Sequence, residues 1–110
     1  MNNIKTIIKS SNDEISINNF IYMYNCLKEI NDKMKHKKYK DDLKELIQLI
    51  IDYLIYGDKK QEQIYFYFDY FYELDFMQEF IKPSKSKNND ILLQIIKSMS
   101  ALILTIINQA

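Results

Sequence analysis

The 110-residue chain contains no arginine and no tryptophan, and only one each of glycine, proline, cysteine and histidine. Each scarcity excludes something. A β-sandwich or barrel needs many tight turns, and hence many residues that tolerate positive φ. Dinucleotide- and triphosphate-binding loops need several glycines close together. One glycine, Gly57, serves neither. A lone Cys26 forms no internal disulfide and fits a reducing compartment. One Cys and one His are too few for a closed zinc site. With every basic residue a lysine, the bidentate guanidinium fork used for phosphates and base edges is missing. The Lys, Asn, Ile and Tyr bias is that of an AT-rich genome.

What is present is balanced and apolar enough to fold. Fifteen acidic residues cancel fifteen basic ones, so no global field favours nucleic acid or an anionic surface. An apolar fraction of 47% is ordinary for a globular domain. A chain of this length buries roughly two-thirds of its unfolded surface, enough for one modest core. Met1-Asn2-Asn3-Ile4-Lys5 lacks the long apolar run and small-residue cleavage site of a secretory signal, so none is expected. The most apolar stretch, Ile91 to Ile107, is interrupted by Gln94, Lys97, Ser98, Ser100 and Thr105, too polar for a lipid-facing span. The expectation is a soluble cytoplasmic protein.

Periodicity predicts an all-α fold of about five helices behind a flexible tail over residues 1–17. Asn18 or Asn19 is the expected cap of a first helix whose stripe is Phe20, Tyr24, Leu27 and Ile30. Asp41 or Asp42 restarts the chain, and Leu43, Leu46, Ile47, Ile50, Ile51, Leu54 and Ile55 make the clearest amphipathic pattern. Gly57 sits where a left-handed residue would end that helix.

Residues 60–73 are ambiguous by local preference, since Tyr65-Phe66-Tyr67-Phe68-Asp69-Tyr70-Phe71-Tyr72 favours a strand by composition. A strand without a partner leaves its backbone unpaired, so helix is the preferred reading. Its predicted inward face is Ile64, Phe68, Phe71 and Leu74, flanked by Tyr65 and Tyr72. Asp75 would cap a short helix, Phe76 to Ile81, stopped by Pro83. Asp90 would cap a last helix, apolar on so many sides that it is expected at the centre of the core.

The candidate chemistry is thin. His36 lies in Lys35-His36-Lys37-Lys38 and reads as a solvent-exposed spacer; Cys26 reads as a small buried hydrophobe. The pairs Asp13-Glu14 and Asp41-Asp42 sit where carboxylates favour helix dipoles. No catalytic, cofactor or metal site is expected, and no small-molecule substrate. Lys33, Lys35, Lys37, Lys38, Lys40 and Lys44 form a basic cluster that could contact a partner or an anionic membrane. Asp41, Asp42 and Glu45 offset it. The aromatic run is flanked by Glu62, Asp69, Glu73 and Asp75, a poor setting for nucleic-acid stacking and a good one for core packing.

The order of segments resembles a known family. Ile55-Tyr56-Gly57-Asp58 closes one helix, and a polar spacer, Lys59 to Gln63, follows. Then come Phe66-Tyr67-Phe68, Phe76-Met77-Gln78-Glu79-Phe80-Ile81 and Leu92-Leu93-Gln94-Ile95-Ile96-Lys97-Ser98-Met99. Upstream, Phe20 to Leu27 fits the opening helix. In this order they are similar to the N-terminal FPL domain of the C-type lectin domain family 16 member A (Ema-like) proteins, over residues 19–108. Tyr56 stands where that family carries Trp, and Lys85 to Asn89 departs from its loop. The signature residues are Ile55, Tyr56, Gly57, Asp58, Phe66 and Phe68. The resemblance implies an armadillo/HEAT-like α-solenoid of antiparallel helical hairpins over 18–110, opening a longer repeat array. It also implies a non-enzymatic scaffold in endosome-to-lysosome traffic and autophagy, with protein partners or further repeats and at most peripheral contact with endosomal or autophagic membranes.

Overall fold

The computed structural model describes residues 4–57, 66–83 and 88–109. Among them there are six helices and no strand: α1 (Ile4–Asp13), α2 (Ile17–Asp32), α3 (Lys40–Tyr56), α4 (Phe66–Glu73), α5 (Phe76–Ile81) and α6 (Asn89–Gln109). The aromatic run from Phe66 onward is helical, as the missing partner strand argued. The spacer 59–63 with Asp58, Ile64 and Tyr65, and loop residues 84–87, lie outside the described residues.

α3 is the hub, packing against α1, α2, α4 and α6. Leu43, Leu46, Ile47, Leu49, Ile50, Ile51, Tyr53 and Leu54 are all buried, so every side of the helix is inside except the one that carries Asp41, Glu45 and Gln48. Phe20, near the start of α2, stacks on Tyr53 near the end of α3 at 5.6 Å between ring centres, which makes α2 and α3 an antiparallel hairpin. On the other side, Lys40 pairs with Asp90 at 3.3 Å and Gln94 donates to Gln48 at 3.1 Å. Both contacts advance together along the chain, so α6 runs beside α3 in the same direction.

The predicted centre of the core therefore moves from the last helix to α3. α6 buries Ile91, Ile95, Ser98 and Leu102, one stripe at 4-3-4 spacing, and leaves its far side open. Apolar content all round a helix shows only that it can be covered, whereas burial needs neighbours on every side. α3 has neighbours on most of its sides, whereas α6 leans chiefly on α3.

The expected tail is a helix. α1 buries Ile4 and Ile8 against α2 and α3, and the Tyr53 hydroxyl lies 2.8 Å from the Ser11 carbonyl and 2.9 Å from that of Glu14. The break at Ser10-Ser11-Asn12-Asp13 lies at its C-terminal end rather than in an unstructured segment, because Tyr53 and Asn19 take up the carbonyls there. Asn19 donates to the Ser10 and Glu14 carbonyls and accepts from the Ser10 hydroxyl, so it is a buried tie instead of a cap.

Three caps also shift, by two or three residues. Ser16 caps α2, accepting from the Asn19 N–H at 3.2 Å. Tyr39 precedes α3 with no side-chain cap, and Asp41 and Asp42 sit inside its first turn, where they still complement the dipole. The Asn88 side chain, not Asp90, accepts from the Asp90 and Ile91 N–H groups at the start of α6. Asp75 does hold the N-cap position of α5, although its side chain makes no capping bond there.

Gly57 does not take the left-handed conformation. Its φ and ψ are −62° and −36°, right-handed helical values. Among the described residues, the left-handed ones are Met34 (φ 52°) and Asp75 (φ 60°). Met34 ends α2 in a Schellman turn, with Lys35 N–H on the Ile30 carbonyl and Met34 N–H on that of Asn31.

Candidate interaction surface

The signature break is built around one ring. A methyl group at Gly57 would lie 2.5 Å and 2.6 Å from Cδ2 and Cε2 of Tyr67. Glycine is required there for close approach, not for turn geometry. Tyr67 is fully buried and meets Phe20 at 5.1 Å, Tyr53 at 5.4 Å and Phe66 at 5.0 Å between ring centres. Phe76 closes the cluster against Phe20 at 4.6 Å and Phe71 at 5.2 Å. One aromatic knot thus joins α2, α3, α4 and α5. Of the signature residues, Ile55, Phe66 and Phe68 pack against the core half-buried, and Tyr56 is 52% exposed. They are brought into one structural unit, and it is not a binding pocket.

Tyr67 escaped the sequence reading. With aromatics at seven of the eight positions 65–72, every helical stripe is aromatic and the phase cannot be read from type alone. The inward pair is Tyr67 and Phe71, whereas Phe68 and Leu74 are only half-buried and Tyr72 is 85% exposed.

A second arrangement ties the Lys-rich loop to α5. His36 Nε2 lies 2.7 Å from Asn31 Oδ1, so the tautomer with the proton on Nε2 donates to it. Asn31 Nδ2 donates to the Glu79 carbonyl at 2.8 Å and to Glu79 Oε1 at 3.2 Å. Lys82 Nζ completes the chain on Glu79 Oε2 at 2.7 Å. His36 is half-buried and bonded, not the exposed spacer its lysine neighbours suggested, and burial lowers its pKa from the usual 6.5. The hydrogen bond to Glu79 raises the pKa of Lys82. These groups satisfy one another, and the arrangement reads as structural. Asn31 sits one residue beyond the apolar stripe of α2, and a buried Asn with no visible partner in sequence is the only early sign of it.

Cys26 is buried, and its thiol is pushed up to about 11, mostly by burial and then by Glu29 and Asp42. A thiol held protonated is a packing group rather than a nucleophile. Among the described residues no three His, Cys, Asp or Glu side chains are placed to hold a metal ion, and no helix is long and apolar enough to cross a membrane.

Three lysines of the basic cluster have partners of their own. Lys33 pairs with Glu29 at 2.7 Å, a contact that raises the Lys33 pKa and lowers that of Glu29. Lys40 is engaged by Asp90, and Lys38 lies 5.3 Å over the Tyr39 ring. Lys35 is half-buried; Lys37 is exposed.

The feature that stands open is apolar. Along α6, Leu92, Leu93, Ile96, Ile103, Leu104 and Ile107 are between 38% and 62% exposed. Beside this helix a groove of about 670 Å³ is lined by Phe68, Phe71, Tyr72, Met77 and Leu102, with Glu73 and Asp75 at its edge. Monomeric soluble proteins rarely leave apolar patches larger than a few hundred Å² uncovered.

The half of the chain that makes the Gly57–Tyr67 contact and the open face of α6 is also the half that matches a family. The family is FPL, described as "Uncharacterised conserved protein", and it matches over residues 47–110. The chain belongs to the FPL family. The matched part of this FPL chain begins inside α3 and takes in the whole of α4, α5 and α6. No curated protein and no solved structure matches the chain.

Proposed function

We propose that this FPL chain is a non-enzymatic helical scaffold segment that works through protein–protein contacts, in endosome-to-lysosome traffic and autophagy. The observation that carries the contact part is the uncovered side of α6, six large apolar side chains on a helix whose opposite stripe is firmly packed. An interaction surface on a rigid core explains that layout; a solvent-facing helix would be polar there. The same-direction packing of α3 and α6 supports an array reading, since equivalent helices of stacked repeats run alongside one another. The cellular setting rests on the resemblance of 45–58 and the segments after it to the C-type lectin domain family 16 member A proteins. Membrane docking through Lys33 to Lys40 has no comparable support, because Lys33 and Lys40 already hold acidic partners.

The test is a rescue assay. Cells lacking the protein receive the native sequence or an Ile96→Glu/Ile103→Glu variant, with expression levels matched. The variant should fail to restore lysosomal delivery of an endocytosed cargo and autophagic flux. Full rescue by the variant would remove the α6 face from the function; no defect in cells without the protein would remove the trafficking role.

A further inference from the structure

We infer that the open face of α6 is occupied by the same face of a second copy of this chain, the two helices crossing antiparallel on a two-fold axis at Ser100. The inference rests on the reading of α6 as a protein-contact surface and names its partner.

The open face has mirrored spacing. Counting from Ser100, Leu93 and Ile107 lie seven residues to either side, Ile96 and Leu104 four, and Lys97 and Ile103 three. All seven fall within about 60° of Ser100 at 3.6 residues per turn. An isologous contact needs a surface complementary to itself, so that residue i meets j and j meets i. An antiparallel pair centred on Ser100 sets Leu93 against the second copy's Ile107, and Ile96 against its Leu104. The side chain at the crossing point is small and exposed, which lets the axes approach to the closer end of the usual 8–10 Å.

Charge points the same way. From Ile91 to Gln109 the only charged residue is Lys97, at the border of the face, where its stem lies along apolar surface and its ammonium reaches water. A charged partner would find nothing to pair with along the seam, while a second copy presents the same uncharged strip. The five apolar side chains of this face expose on the order of 500 Å², so a symmetric pair removes up to roughly 1,000 Å² in all, the size of a small and reversible interface.

The full chain, 13.3 kDa, should sediment at twice that mass at hundred-micromolar concentration and dissociate on dilution. Ile96→Glu/Ile103→Glu should weaken the pairing by about 100-fold or more, as charges buried against apolar surface do. Because the axis passes through position 100, Ser100→Cys should give a disulfide-linked dimer under mild oxidation, and Lys37→Cys in the exposed loop should not. Cys26 is buried and adds no crosslink. A monomer at hundred-micromolar concentration overturns the inference, as does a dimer indifferent to the two glutamates or one that Ser100→Cys does not lock. Binding of an apolar dye then separates the two readings. Dye fluorescence that the glutamate pair abolishes leaves α6 as a contact face for another protein, whereas a monomer that binds no dye removes the contact face as well.

Discussion

The single glycine of the chain is set by a neighbour ten residues on. At φ −62° and ψ −36° an alanine fits the backbone of position 57, and Gly→Ala at a helical position ordinarily adds about 0.5–1 kcal/mol. Here the new methyl would meet the Tyr67 ring at 2.5 Å. That ring is fully buried among Phe20, Tyr53 and Phe66, so it has nowhere to swing. Overpacking wins, and Gly57→Ala should lower stability by about 1–3 kcal/mol. Urea denaturation midpoints check this, and in a Tyr67→Leu background the same Gly57→Ala change should cost little. An alanine variant as stable as the native chain would return Gly57 to the role of a plain helix end. The residue was legible in sequence as punctuation; its reason was not, because the contact joins two helices whose relative phase an all-aromatic run conceals.

Among the helices, α1 shows how far short-range pattern can mislead. Ile4, Ile7 and Ile8 have helical spacing, but a ten-residue helix cannot sustain itself in water, and its docking partners lie far along the chain. Tyr53, which takes up the Ser11 and Glu14 carbonyls, is 42 and 39 residues away from them. Longer elements with their own periodicity, α2, α3 and α6, were readable to within a few residues, and so was the short α5 between Asp75 and Pro83. Caps were less so, since Ser16 and Asn88 compete with equally good neighbours only one to three residues distant. Removing residues 1–13 should therefore cost about 3 kcal/mol or more, from the lost burial of Ile4 and Ile8 alone. Thermal melts of the shortened chain measure it, and an unchanged melting temperature would make the segment a tail after all.

For the molecule as a whole, fold class followed from scarcity, in that so little glycine and proline leaves few architectures but helices. The centre of the core did not follow, because hydrophobic content says what can be buried and not what surrounds it. Global stability should carry a mark of the α2–α5 tie as pH falls. Burial lowers the His36 pKa below 6.5, so the unfolded chain takes up that proton first. The contribution of a neutral His36 is complete above the unfolded value and is lost as pH falls through the folded one. Asn31 faces the imidazole directly, Glu79 and Lys82 stand behind it, and Lys35 and Lys37 flank it in sequence. From about pH 8 to about pH 5 the native chain should lose more stability than His36→Gln, which lacks the titrating ring. Parallel curves would mean that the ring is free to ionise in place. The space kept empty at Gly57 also limits how such a sequence can drift. Shrinking the ring at 67 opens room beside 57, whereas a side chain added at 57 with the ring in place meets a collision. Change at the two positions is then coupled, and a side chain at 57 is better tolerated in a descendant that has already lost the ring at 67.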